Sequence, residues 1–174
     1  MPVGFYGVSY DGEVRDASAK DQARAWNRMA ANRVESSRTV FSWAQAQSEK
    51  EAEFDFTQSD LAVEHAAENL IDLLPIVAET PLWARPKVRN WWPRRSKDFT
   101  AYVDALVARY GRGGEYWDEH PDVPDRPIRH WQFFNEPGRS RHYGPLLDAA
   151  YDAVKDADPR AKVVLAGLTG TEPI

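Results

Sequence analysis

The chain has 174 residues, 43% of them hydrophobic, which is enough for one domain with a packed core and excludes a disordered chain. With 22 basic and 27 acidic residues its formal net charge is -5, so no electrostatic footprint for nucleic acid or an anionic membrane is expected, whereas neutral carbohydrate stays open as a ligand. The absence of cysteine excludes a disulfide framework and a thiolate metal site, and leaves the compartment undecided.

The first residues, Met1 to Gly7, carry neither a basic segment nor an apolar run of signal length, and no uncharged stretch is long enough to span a bilayer. A soluble chain without an export signal is therefore expected. Gly4 to Tyr10 reads as a first strand closed by the turn signal Asp11-Gly12. Ser18 followed by Asp21 predicts a helix start, and Ala23, Trp26, Met29 and Ala30 recur at helical spacing up to Asn32. Val34 to Phe41, rich in β-branched residues and followed by Ser42-Trp43, predicts a second strand. Strand, helix and strand in tight succession make a βαβ unit and hence a parallel sheet.

The pattern repeats. Thr57 or Ser59 is expected to cap a helix reaching Leu70, and Ile71 to Glu79 reads as a third strand, with Pro75 as an objection because it lacks a ladder donor. A basic, aromatic, proline-punctuated loop leads to Arg95. Ser96 is then expected to cap a helix whose stripe of Phe99, Val103, Leu106, Val107 and Tyr110 is spaced for burial, ended by Gly111 to Gly114. Tyr116 to Pro127 reads as a loop. Ile128 to Phe134 reads as a buried strand that delivers Asn135 and Glu136 directly before Pro137; a helix over Tyr143 to Asp156 and a strand over Lys162 to Ala166 follow. The organisation is (βα)4β, which either closes toward a barrel or lies open as a doubly wound sheet.

Polar groups at the C-terminal end of a parallel strand stand where α/β folds build their sites. A strand ending in Asn135-Glu136-Pro137 resembles the acid/base strand of the clan GH-A glycoside hydrolases with (β/α)8 barrels, which include many glucanases, mannanases and xylosidases. Arg38-Thr-Val-Phe-Ser-Trp43 is similar to the clan's arginine-bearing strand, and Thr80-Pro81-Leu82-Trp83 to a segment of xylosidase-like and cellulase-like members. The likeness extends from Phe5 to Gly167 and departs at Phe133-Phe134 and Gly138.

The resemblance implies an incomplete TIM barrel and hydrolysis of O-glycosidic bonds by a retaining two-carboxylate mechanism. Glu136 would be the acid/base, Asn135 would contact the sugar 2-hydroxyl, and Arg38 would face a carboxylate. Glu136, at the end of an aromatic run, is expected in partly dry surroundings. Trp83, Trp43 and Tyr10 are the expected sugar-contacting residues, the substrate being an oligo- or polysaccharide. With seven Trp, seven Tyr and seven Phe, core packing is expected to take about four or five of the Trp and to leave the rest for a cleft.

No cofactor is expected. The four histidines, His65, His120, His130 and His142, lack metal-site spacing, Gly167 to Gly170 lacks the residues of a phosphate loop, and there is no Gly-x-Ser-x-Gly elbow. A closed barrel takes about 250 residues. Residues 1–174 are therefore expected to be the N-terminal portion of a catalytic barrel, lacking the nucleophile, inactive alone and open to self-association through its sheet edges. The competing expectations are a small open-sheet binding module with strand order 2-1-3-4-5 and a protein whose sheet is completed by another chain.

Overall fold

The computed structural model describes residues 6–10, 17–86, 91–137 and 140–167. Five strands, β1 (Gly7–Ser9), β2 (Ser36–Ser42), β3 (Asp72–Ala78), β4 (His130–Phe133) and β5 (Lys162–Val164), form one sheet in the order β1-β2-β3-β4-β5, with every pairing parallel. Sequential parallel order is the product of repeated βα units that always step the same way. It rules out the 2-1-3-4-5 order of the open-sheet module. The described part is thus an open α/β sheet of TIM-barrel type, with helices α1 (Ala19–Ala31), α3 (Thr57–Glu68), α4 (Ser96–Tyr110) and α6 (Tyr143–Ala157) in the connections.

Each helix forms for a local reason, and two starts differ from expectation. The Ser18 hydroxyl caps α1 by accepting from the Asp21 N–H. At α3 neither Thr57 nor Ser59 caps; Asp55 Oδ1 accepts from the Thr57 N–H at 2.9 Å, and the Ser59 hydroxyl turns back to the Phe56 carbonyl and to Tyr110. Ser96 is the first residue of α4, and the preceding Arg95 makes no side-chain cap. Two short helices were not expected: α2 (Trp43–Ala46) directly after β2, and α5 (Glu115–Glu119), which overlaps the start of the expected loop from Tyr116. The Ser42 hydroxyl starts α2 by accepting from the Gln45 N–H at 3.1 Å.

Residues paired across parallel strands share a face. Phe41, Val77 and Phe133 are in register and point to the helix layer, where Phe41 meets Tyr110 edge-on and Phe99 meets Phe133. The α4 stripe Phe99, Val103, Leu106, Val107 and Tyr110 is buried there as its spacing predicts. The registers Arg38↔Leu74 and Ile76↔Gln132 place these four on the opposite face.

Pro75 fits because Val77, two residues on, turns its carbonyl to Phe134 N–H at 3.0 Å, so Pro75 also faces β4, where pairing begins only at Ile76. No ladder donor is needed at its position.

Asp60 of α3 accepts two bonds from Arg109 at 2.8 Å and one from the Tyr110 hydroxyl at 2.6 Å; Arg109 also reaches Glu119 at 3.0 Å, so one charge cluster ties α3, α4 and α5. Burial first, then the Asp60 charge, raises the Tyr110 hydroxyl pKa. Among the described residues, no helix is long and apolar enough to cross a membrane.

Candidate active site

The strand-end backbone is unusual at two neighbouring positions. Beyond β3, Glu79 has φ 63, and beyond β4, Phe134 and Glu136 have φ 59 and 46. Left-handed backbone at a residue with a side chain costs about 1–3 kcal/mol, so surrounding contacts must hold it. Phe134 is held twice: its N–H donates to the Val77 carbonyl at 3.0 Å, and its carbonyl accepts from Gln132 Nε2 at 2.8 Å. The two positive φ angles bracket Asn135 and lift it, with Glu136, off the sheet into solvent.

Arg38 crosses to meet this turn. It sits mid-strand in β2, paired with Leu74, and its side chain is long enough to pass over β3. There Nη2 donates to Asn135 Oδ1 at 2.7 Å and Nε to Gln132 Oε1 at 3.1 Å. Arg38 was expected at the end of its strand and against a carboxylate. Among the described residues its partners are these two amides, and no carboxylate forms an ion pair with it. Gln132, only 4% exposed, is the residue that sequence reading passed over. The available signal was a lone polar side chain alternating with Trp131 and Phe133 in a buried strand.

Glu136 is exposed and lacks the dry surroundings expected of it. Its stem lies beside β5: a Cβ built on Gly167 would stand 3.9 Å from Glu136 Cγ. Tyr143 secures that segment, its hydroxyl accepting from the Ala166 N–H at 2.8 Å. Burial raises the Tyr143 pKa, and the bond from Ala166 opposes the rise.

The three aromatic residues expected at the sugar separate. Trp83 is half-buried, its indole N–H bound to the Gln47 carbonyl at 2.9 Å, and it borders an open cavity of about 410 Å³ with Phe54, Arg95 and Asp98. That cavity is not lined by Arg38, Asn135 or Glu136. Trp43 is 0% exposed, enclosed by Trp83, Phe99 and Tyr102, because it opens α2 and points into the core. Tyr10 is 5% exposed and packs on Trp26 at 4.7 Å; burial pushes its hydroxyl up to about 12. Neither Trp43 nor Tyr10 offers a face to a sugar. Four Trp (Trp26, Trp43, Trp117 and Trp131) are buried, while Trp83 and Trp92 are half-buried and Trp91 is 73% exposed, so the expected split between core and cleft holds.

No protein-family model matches the sequence, and no curated protein matches it. Solved structures do. An exo-beta-1,4-mannosidase from Opitutaceae bacterium strain TAV5 is 12% identical over 94% of this chain and 32% of its own, with a TM-score of 0.70. A family 39 glycoside hydrolase from Bacteroides cellulosilyticus WH2 is 19% identical over 91% of this chain and 31% of its own, with a TM-score of 0.62. The endoglucanase Cel5A of Pseudomonas stutzeri, solved with cellobiose, is 16% identical over 81% of this chain and 40% of its own, with a TM-score of 0.56. The chain spans less than half the length of each. At these identities the likeness is one of fold: the chain has the architecture of part of a TIM-barrel glycoside hydrolase.

Proposed function

We propose that this chain carries the acid/base half of a retaining O-glycosyl hydrolase site, as the N-terminal portion of a catalytic barrel. Glu136 protonates the leaving glycosidic oxygen and later takes a proton from the attacking water. Asn135 binds the sugar 2-hydroxyl, and Arg38 holds Asn135 in place. The second carboxylate, which attacks the anomeric carbon, is assigned to no residue of this chain.

The observation that carries the reading is the Arg38–Asn135 bond at 2.7 Å. It occupies the amide oxygen of Asn135, so Nδ2 is left to donate, as a contact to a sugar hydroxyl requires. Such a contact strengthens in an oxocarbenium-like transition state. The side chain is also oriented before substrate arrives, which spares the cost of ordering it during binding. Arg38 has further N–H groups beyond the two it uses, and its charge favours a carboxylate nearby. A retaining pair stands about 5 to 5.5 Å apart across the sugar. Glu79, on the strand next to β4, is not opposite Glu136 in that sense.

The test is incubation of the chain with aryl glycosides and neutral oligosaccharides, beside Glu136→Gln. Saturable binding without turnover is the expected outcome, because one acid supplies only about 10²- to 10⁴-fold. Turnover that vanishes in Glu136→Gln would place a second carboxylate within this chain and overturn the assignment.

A further inference from the structure

A second feature is unclaimed by the reaction. The segment 85–95 holds Arg85, Lys87, Arg89, Arg94 and Arg95 without one acidic residue, and 139–142 holds Arg139, Arg141 and His142, in a chain whose net charge is -5. The described parts of both segments meet at one cavity of about 220 Å³, lined among others by Trp92, Arg94, Ser96, Arg141 and His142. Among the described residues no carboxylate lines it. Arg94 and Arg141 are exposed, so a ligand can reach both guanidinium groups. The N-terminus of α6 also opens here, through His142 and Pro145, and adds the positive end of a 15-residue helix.

The cavity is not lined by Glu136 and connects to its turn through two aromatic rings. Trp92 packs on Phe134 at 4.7 Å between ring centroids and lies 6.2 Å from Tyr143. Phe134 is two residues before Glu136, and Tyr143 anchors the backbone beside Glu136. We propose that the glycoside carries, on a unit that reaches this cavity, an anionic substituent, a carboxylate or a sulfate ester, held by Arg94 and Arg141 while the ring of that unit lies against Trp92. This rests on the glycoside reading above and deepens it. A planar guanidinium grips either oxyanion through two parallel N–H bonds, and a half-buried indole offers a face to a pyranose. A neutral sugar would leave the guanidinium groups of Arg94 and Arg141 without an anion.

Calorimetric titration of the chain at low salt tests this with four probes: methyl glucuronide, methyl glucoside 6-sulfate, methyl glucoside and inorganic sulfate. At least one charged glycoside is expected to bind about tenfold more tightly than the neutral one, and which one does so tells carboxylate from sulfate. In the double variant Arg94→Gln, Arg141→Gln the ratio is expected to fall to about one. Raising salt should shrink it in the unaltered chain, since exposed charges are screened within about 10 Å at 0.1 M. Equal binding of charged and neutral glycosides overturns the proposal while leaving the glycoside reading intact. Inorganic sulfate binding as tightly as the charged glycosides overturns it as well, because the site then takes an anion without a sugar. Failure of every glycoside to bind overturns the glycoside reading, and the proposal with it.

Discussion

Arg38 and Asn135, 97 residues apart, are joined at 2.7 Å across β3, and the same guanidinium holds Gln132 at 3.1 Å. One long side chain from β2 thus fixes two amides of β4 and its turn. Replacing it by Met removes both bonds and leaves the buried Gln132 oxygen unpaired. A loss of about 1–3 kcal/mol in urea unfolding is expected. Gln132→Leu removes the bond to the Phe134 carbonyl as well and is expected to cost a similar amount, and the two changes combined should cost less than their sum because they share the Arg38–Gln132 bond.

The cluster around Arg109 should show how burial sets the worth of an ion pair. The Arg109 side chain is 14% exposed and grips Asp60 with two bonds, whereas the Glu119 side chain is 55% exposed. Arg109→Met strands the Asp60 charge and is expected to cost about 3–5 kcal/mol. Glu119→Gln is expected to change stability by less than about 1 kcal/mol. Denaturant melts of the two variants compare them directly.

The start of α3 should be pH-sensitive in a defined direction. Bonds from Thr57, side chain first and then backbone, hold the Asp55 carboxyl below its ordinary 3.8. Its contribution is therefore complete above that value and is lost as pH falls through the lowered one. Asp55→Ala should cost about 0.5–2 kcal/mol at neutral pH. Asp55→Asn, which keeps an acceptor, should cost less and should flatten the stability profile below pH 4.

At the sheet edges β1 and β5 have no strand on their outer side among the described residues, and exposed Tyr6, Val8 and Leu165 lie along or beside them. Unpaired edges recruit other chains. Sedimentation velocity over a range of concentrations is expected to show self-association, reduced in Val8→Lys. A monomer at every concentration would show that the edges are protected.

Most of the architecture was legible because it rests on periodicity. The α4 stripe, the Ser18 cap and the βα succession all follow from local spacing, whereas strand order does not, because right-handed crossovers build both the sequential and the 2-1-3-4-5 sheet. At the site, Asn135 and Glu136 were readable from their place after a strand, and the pairing of Arg38 with that turn was not. That pairing depends on side-chain reach across β3, which no spacing encodes. Trp43 was misread for a related reason. The resemblance implied a sugar contact, but a helix start after Ser42 turns it into the core. The α3 cap expected at Thr57 or Ser59 falls instead to Asp55, two residues before Thr57, through an Asx turn.

The central claim is that the Arg38–Asn135–Glu136 turn binds a glycoside, and side-chain NMR reads it at the atoms concerned. In a titration with a glycoside, the Arg38 Nε–H, the Asn135 Nδ2–H₂ and the Glu136 carboxyl carbon are expected to shift together along one binding curve. In Asn135→Ala the affinity should fall by about tenfold. Saturable binding that moves signals elsewhere while these three stay fixed would contradict the account.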